Sequence, residues 1–584
     1  MPPRNPDARD LSPAAWVERI EAASRSTRSW LDRSEAIRIQ VLVAAGLWPE
    51  FPRPPVRAEV YGRRDHDGYS VEKVRIETWP GFWLAGNLYR PAGPAGWRPA
   101  VLSLHGHWPA GRFAENESTS LPGRAIGLAR LGVVVLSTDM VGYGDTTQLP
   151  HDFQDVPWGV SLLGLQLWNN IRALDFLERL PGVDPARMGV TGASGGATQT
   201  FLLAATDARV ACSIPVNMVT AGCQGGCQCE NAPLLRLDLN NVEIAAAIAP
   251  RPLMLISCTG DWTAKTEQRD APVVARTFAA LGAADRFRAV TVNADHNFNR
   301  ESRELAYGWI ARWLLGAPTS DPVPEAAFAP ANRKQLSVWD RSHPRPARLM
   351  GARGLAGHLR RDIAAQLRAL FPRDRDSLSR FRATMLPAMR ATLAARVPLP
   401  AELAVEVRRD GPAPVLSVVT EAEAGSFHGA GRVVILRPHV REAPVNSDAD
   451  TETEEWIRWR ESHPLTYYRT ELARQVQDVL CAVAAFGGPE IRLEGKGDAG
   501  VPVLLARSLL NEDAIGLTVA DLGGADAGSA SFWTGERSLP GILRIGGLTT
   551  AAILAAPGPV ELRGGAGLDT AAIHAAWAAA RSSR

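Results

Sequence analysis

Gly192-Ala193-Ser194-Gly195-Gly196 is the one G-x-S-x-G in this chain, and its serine is the first residue whose setting suggests chemistry. A serine hydroxyl is a weak nucleophile at neutral pH, and it becomes useful only beside a base and on a bend that exposes it. Here a strand-like run, ARMGVT, leads into the motif and a helix-like run, GATQTFLLAAT, leaves it. That is the strand–turn–helix setting a nucleophile elbow requires, with small neighbours because a Cβ would clash in so tight a turn. A structural glycine turn ahead of a packed helix would use the same residues. The functional reading adds that the N–H of Gly195, at a helix N-terminus, points toward a developing oxyanion.

The partners must follow the serine in the chain if the order is serine, acid, histidine. Between Ser194 and Gly316 the single histidine is His296, in AVTVNADHNFNRES, just after a strand-like run and before a helix. Asp261, in LMLISCTGDWT, sits directly after the preceding strand and is the expected acid, able to hold the imidazole in one tautomer. Asp295 is adjacent to His296, so its side chain diverges on an extended segment. Glu230 is the stronger rival, one strand earlier. The second oxyanion donor is expected in the loop Leu104-His105-Gly106-His107-Trp108-Pro109, from the backbone N–H of His107. Trp108, Tyr143, Trp158, Trp262 and Phe298 fall on loops expected to rim the same end of a sheet and to line the substrate pocket.

Elements able to position these residues are readable from periodicity. Residues 10–50 alternate at helical spacing, and VRAEVYGRR, YSVEKVRIETWPG and FWLAGNLYRPAG read as antiparallel strands. From Arg98 onward, buried strand-like runs (PAVLSLHG, GVVVLSTD, RMGVTG, ACSIPVN, RPLMLIS, FRAVTVN) alternate with helices, which is the grammar of a parallel sheet with crossover helices. The expected divisions are an N-terminal helical segment 1–50, a catalytic unit 51–316, a Pro-rich linker 317–345 and a second unit 346–584.

That second unit repeats the order of the first. RMGVTGASGGATQTFLLAATDARVACSIPVNM lies over EIRLEGKGDAGVPVLLARSLLNEDAIGLTVADL, and RPAVLSLHG over GRVVILRPH. Gly495-Lys496-Gly497-Asp498-Ala499-Gly500 satisfies G-x-G-x-x-G, with Asp521 downstream, and read alone would suggest a dinucleotide site. The repeat offers a simpler account, an elbow in which Gly497 stands where Ser194 does. No histidine follows in the place of His296, since His574 sits in an Ala-rich helix, so this copy is expected to be catalytically dead.

Bulk properties narrow the alternatives. At 584 residues several cores are expected. Lys+Arg 64 against Asp+Glu 62 gives no general attraction to nucleic acid or anionic membrane, and the Arg-rich stretch 357–370 reads as a solvated helix face. The first residues lack an apolar signal core, and no uncharged run reaches membrane-spanning length, so a cytoplasmic address is expected. Of six cysteines, three cluster as Cys223-x3-Cys227-x-Cys229. The spacing is not the usual C-x2-C, and no histidine or fourth cysteine is near in sequence, so free thiols or one disulfide are expected there rather than a metal. His105 and His107 likewise lack a third ligand nearby. No metal or organic cofactor is expected, and nothing in the sequence speaks to oligomeric state.

GASGG, IAPRPLMLISCTGDWT and NADHNFN resemble the α/β-hydrolases grouped as acetylxylan esterases and relatives of dienelactone hydrolase, and GGCQCENAPLLRLDLNNVEIAAAIAPRPLML resembles bacterial multi-domain members. The resemblance spans roughly residues 55–316 and, more weakly, 395–565. It implies an α/β-hydrolase fold, a triad of Ser194, His296 and Asp261, and deacylation of small esters such as acetylated sugars. Two departures bear on substrate: a serine replaces the cysteine of dienelactone hydrolases, and Gly195 replaces the Gln of G-x-S-Q-G-G deacetylases. The expectation is a serine esterase, the alternatives being a peptidase or amidase on the same triad or a non-catalytic binding protein.

Overall fold

A computed structural model describes residues 13–94, 96–222, 224–237, 239–395, 406–410, 414–428, 431–436, 454–524 and 526–581. Eleven strands fall in the first half. They are β1 (Arg57–His66), β2 (Tyr69–Trp79), β3 (Phe82–Pro91), β4 (Arg98–Leu104), a two-residue hairpin β5 (Glu115–Asn116) and β6 (Thr119–Ser120), β7 (Val134–Thr138), β8 (Val183–Ala193), β9 (Val210–Val216), β10 (Leu253–Gly260) and β11 (Phe287–Asp295). Nine of them form one sheet in the order β1-β2-β3-β7-β4-β8-β9-β10-β11. β1, β2 and β3 pair antiparallel, as does β3 with β7, and every later pair is parallel. The alternating sequences thus form the antiparallel edge, and the continuous apolar runs form the centre. β4 and β7 are buried almost throughout, because crossover helices cover both faces of a parallel sheet.

One crossover, Leu162–Glu178, is buried nearly all round rather than along a stripe. It packs on β2, β4 and β8 of the sheet and on the helix Gly195–Thr206 beside it. Its outer start is closed by the turn ending the N-terminal helix Thr27–Ala44, so tightly that a Cβ on Gly164 would strike the Ala45 carbonyl. The helix Ala352–Leu370 buries only Leu355, Leu359, Ile363 and Leu367, at the i, i+4 spacing of an amphipathic helix, and its arginines face outward as the sequence suggests. The segment expected as a linker is packed onto the first unit. Glu325 is buried in an ion pair with Arg303 (2.6 Å), Asp340 pairs with Lys73 (2.8 Å), and the Val338 N–H donates to Asp145 (2.9 Å).

The second half forms β12 (Glu406–Asp410), β13 (Val415–Thr420), β14 (Gly431–Leu436), β15 (Gly488–Gly495), β16 (Ile515–Asp521) and β17 (Val560–Arg563), in the order β12-β14-β13-β15-β16-β17. This order matches β3-β7-β4-β8-β9-β10 strand for strand, including the antiparallel first pair. It corrects one of the sequence alignments between the halves. GRVVIL (β14) occupies the place of β7, and PVLSVVT (β13) takes the place of β4. The two strand runs are similar in composition, and only pairing distinguishes them. Among the described residues no helix is long and apolar enough to cross a membrane.

Candidate active site

β8, β9, β10 and β11 are neighbours whose C-terminal ends share one edge of the sheet, and the three expected catalytic residues stand at three of these ends. Ser194 follows β8 directly and holds φ 59°, ψ −127°, a conformation ordinary side chains avoid. The surroundings enforce it. The Ser194 N–H donates to the Val216 carbonyl at the end of β9, and its carbonyl accepts from the N–H groups of Ala197 and Thr198 in the helix Gly195–Thr206. A Cβ on Gly192 would meet the Gly196 carbonyl at 2.5 Å, and one on Gly196 the His105 carbonyl at 2.6 Å, so both positions must be glycine. The elbow expected from the motif is present.

The imidazole of His296 donates through Nδ1 to Asp261 Oδ2 at 2.7 Å. Asp261 Oδ1 accepts both the N–H and the hydroxyl of Thr263, each at 2.6 Å. Burial alone would raise this carboxyl, but the bonds from His296 and Thr263 outweigh it and hold Asp261 below its ordinary value. It is therefore a carboxylate aimed at the imidazole. The loop that carries His296 is tied back to the elbow side of the sheet. Asn217, next to Val216, donates to the Asn297 carbonyl at 2.6 Å, and the Phe298 N–H donates to the Ser118 carbonyl at 2.8 Å. The D-x-T turn that fixes Asp261 is a side chain bonding the backbone two residues on, a signal that GDWT carries openly in the sequence.

The loop after β4 lies over the elbow. A Cβ on Gly106 would sit 2.9 Å from Ser194 Cβ and 2.7 Å from Trp108, and a Cβ on Gly195 would sit 2.7 Å from the His107 ring. The His107 imidazole is thereby brought against Gly195. His105 is fully buried, its Nδ1 bonded to the Gly106 carbonyl (2.6 Å) and its Nε2 accepting the Met140 N–H (2.9 Å). Burial pushes its imidazole down to about 3, so it is a neutral brace of the loop.

The expected pocket residues divide. Trp262 stacks on His296 (4.8 Å between centroids) and meets Trp459 edge-on (5.3 Å). Tyr143 packs edge-on against His151 (4.9 Å) and, more loosely, His107 (6.2 Å), and Trp108 is half-buried beside the elbow loop. Two expectations need correcting. Phe298 is wholly buried beneath the Arg124 guanidinium, a core residue rather than a pocket wall. Trp158 lies against Arg360, and the adjacent Pro157 carbonyl accepts from Leu543, so it belongs to the contact with the second half.

Glu230, the rival acid, is buried elsewhere on the rim. Its Oε2 accepts the Cys227 N–H (3.1 Å), and its Oε1 lies 3.6 Å from His107 Nδ1. Burial raises its carboxyl to about 7 despite the neighbouring imidazole of His107.

The cysteine cluster carries free thiols at Cys227 and Cys229, and it has neighbours the sequence did not show. Cys223 lies outside the described residues, but Cys227 and Cys229 meet His107 and His151, with all four ligand atoms within 4.8 Å of one another. The histidines missing from the local sequence arrive from the loops after β4 and β7, which the folded sheet brings to the same edge as the loop after β9.

No family model matches the chain. It is 26% identical over 283 residues to a Bacillus subtilis (strain 168) protein described as "Putative hydrolase YtaP", covering 45% of this chain and 94% of that one. It is 28% identical over 213 residues to 4-O-methyl-glucuronoyl methylesterase 1 of Sodiomyces alcalophilus, a match spanning 30% of this chain and 43% of the relative. Among solved structures, it is similar to Methylesterase BT1017 (25% identity, TM-score 0.49, 60% of this chain and 79% of that one) and to a glucuronoyl esterase from Solibacter usitatus (17% identity, TM-score 0.40, 49% and 94%). Its strand order, its elbow serine, and its hydrolase and esterase relatives in sequence are those expected of a serine esterase with an α/β-hydrolase fold.

Proposed function

We propose that the chain hydrolyses carboxylic esters of carbohydrates through an acyl-enzyme, with Ser194 as nucleophile, His296 as base and Asp261 as the acid that orients it. His296 takes the hydroxyl proton as Ser194 attacks the ester carbonyl, and the N–H groups of Gly195 and His107 receive the oxyanion. The alcohol leaves with the proton from His296, and water repeats the sequence on the acyl-enzyme. The observation that carries this reading is the 2.7 Å bond from His296 Nδ1 to Asp261, beside a serine held at positive φ. On the acyl side, small acetyl-type groups are the reading from the motif resemblance. The methylesterase relative supports a second reading, a methyl ester of a sugar acid. A panel of p-nitrophenyl esters, acetylated xylose and methyl glucuronate separates the two. Ser194→Ala should lower kcat by ~10⁴ or more with the fold intact. Undiminished turnover of p-nitrophenyl acetate in that variant would end the assignment.

We further infer that residues 346–584 are a degenerate copy of the unit 51–316, kept to cover and shape the pocket. The shared strand order supports this. So does Gly497, whose φ of +56° takes the bend of Ser194 at the corresponding strand end. Trp459 against Trp262 is one point at which the copy reaches the catalytic rim.

A further inference from the structure

The four-residue cluster beside the elbow has the chemistry of a metal centre. Two thiols and two imidazoles are the donor set of tetrahedral zinc, and their spread of no more than 4.8 Å compares with the ~3.3–3.8 Å separations that bonds of ~2.0–2.3 Å impose. The His107 Nε2–Cys229 Sγ separation is already 3.0 Å. Each imidazole has one nitrogen committed outward and one turned to the sulfurs. His151 Nδ1 is bonded to the Val141 carbonyl at 2.5 Å, while its Nε2 is buried with no hydrogen-bond partner. His107 Nδ1 faces the Glu230 carboxylate at 3.6 Å. Metal-ligating histidines characteristically pass their other N–H to a carbonyl or a carboxylate; His151 does so to the Val141 carbonyl, and the other nitrogen of His107 has the Glu230 carboxyl as its nearest acidic group.

We propose that His107 Nε2, His151 Nε2, Cys227 Sγ and Cys229 Sγ hold one zinc ion, which pins the oxyanion loop to the loops carrying His151 and Cys227. Binding would displace the two thiol protons to solvent. The resulting dithiolate–diimidazole zinc is neutral overall, which suits a half-buried position. Four protein ligands leave no open position, so the ion's role is to fix the His107 ring that lies against Gly195, and with it the loop after β4.

The test uses the full chain, freed of any affinity tag and reduced. Elemental analysis should find about one zinc per chain. Cobalt(II) in its place should show the intense visible bands and thiolate charge transfer of a tetrahedral S2N2 site. His151→Gln and Cys229→Ser should each lose the ion, whereas Ser194→Ala should keep it while losing activity, which separates this proposal from the esterase reading. Removing the metal should lower kcat at least tenfold, with recovery on adding zinc. Less than ~0.1 zinc per chain after reconstitution, no cobalt–thiolate bands, a Cys227–Cys229 disulfide in the purified protein, or full metal content in both ligand variants would each overturn the proposal.

Discussion

Replacing Asp261 by asparagine changes a single atom type, and the bonds around that atom determine the outcome. Thr263 presents two donors to Oδ1. Its N–H can only donate, so it requires an acceptor at that place, and its hydroxyl, which accepts the Cys258 N–H at 3.3 Å, has its one proton free for the same oxygen. The amide oxygen of the introduced asparagine is therefore fixed on Thr263, and its NH2 group turns to His296. A donor at that place forces Nδ1 to accept, so the proton moves to Nε2, the atom that takes the serine proton in the proposed mechanism. The wrong tautomer in an intact site costs ~10⁴ in kcat, which is ~5.4 kcal/mol of barrier. The variant D261N and the control E230Q should be compared on p-nitrophenyl acetate near neutral pH, with circular dichroism to confirm folding. The expected result is that D261N falls about 10⁴-fold in kcat while E230Q falls far less. If D261N keeps more than a few per cent of kcat and E230Q loses ~10³, Glu230 is the acid and the reasoning fails.

Gly106→Ala places a methyl 2.9 Å from both the Ala193 carbonyl and Ser194 Cβ, so the oxyanion loop must lift. It should cost at least ~10² in kcat at little cost in Tm, since the loss of a donor position is worth ~10²–10³. Gly196→Ala meets only backbone, the His105 and Leu104 carbonyls, and should instead lower stability by ~2–4 kcal/mol, read by urea unfolding. His105, with a folded value near 3 against ~6.5 unfolded, binds fewer protons folded than unfolded between those limits. Its contribution to stability is complete above ~6.5 and is lost as pH falls toward 3. Ring-nitrogen NMR at about pH 5 should find it neutral, and a charged ring there would contradict the burial argument. Trp459→Ala removes the edge contact on Trp262 and should raise KM roughly tenfold for bulky sugar esters, with a much smaller change for p-nitrophenyl acetate.

The legible part of the sequence was local. The elbow at Ser194, the strand-end positions of Asp261 and His296, and the parallel sheet all derive from short-range pattern, because strand, turn and helix signals sit within a few residues of the groups they present. The illegible part was long-range. Phe298 and Trp158 occupy loops at suitable positions, but the direction of each side chain depends on Arg124 in one case and Arg360 in the other, both far away in sequence. The swap of β13 and β14 arose because two adjacent buried strands look alike until their neighbours are known. The meeting of His107, His151, Cys227 and Cys229 was invisible for the same reason, since three loops separated along the chain converge only when β4, β7 and β9 belong to one sheet.

The loop 224–236 carries Cys227, Cys229 and Glu230, and it is bound to the second half by main-chain bonds. The Leu234 and Arg236 N–H groups donate to the carbonyls of Leu465 and Thr466, at 2.8 and 3.0 Å, and the Gln224 N–H donates to the Tyr467 hydroxyl. Such bonds fix the path of the loop without depending on which side chains it bears. Mutations in the second half can therefore reshape the mouth of the cleft while leaving the triad untouched. A half of the molecule that bears Gly497 at the strand end where the first half bears Ser194 becomes, in this arrangement, a part through which selection can retune substrate choice.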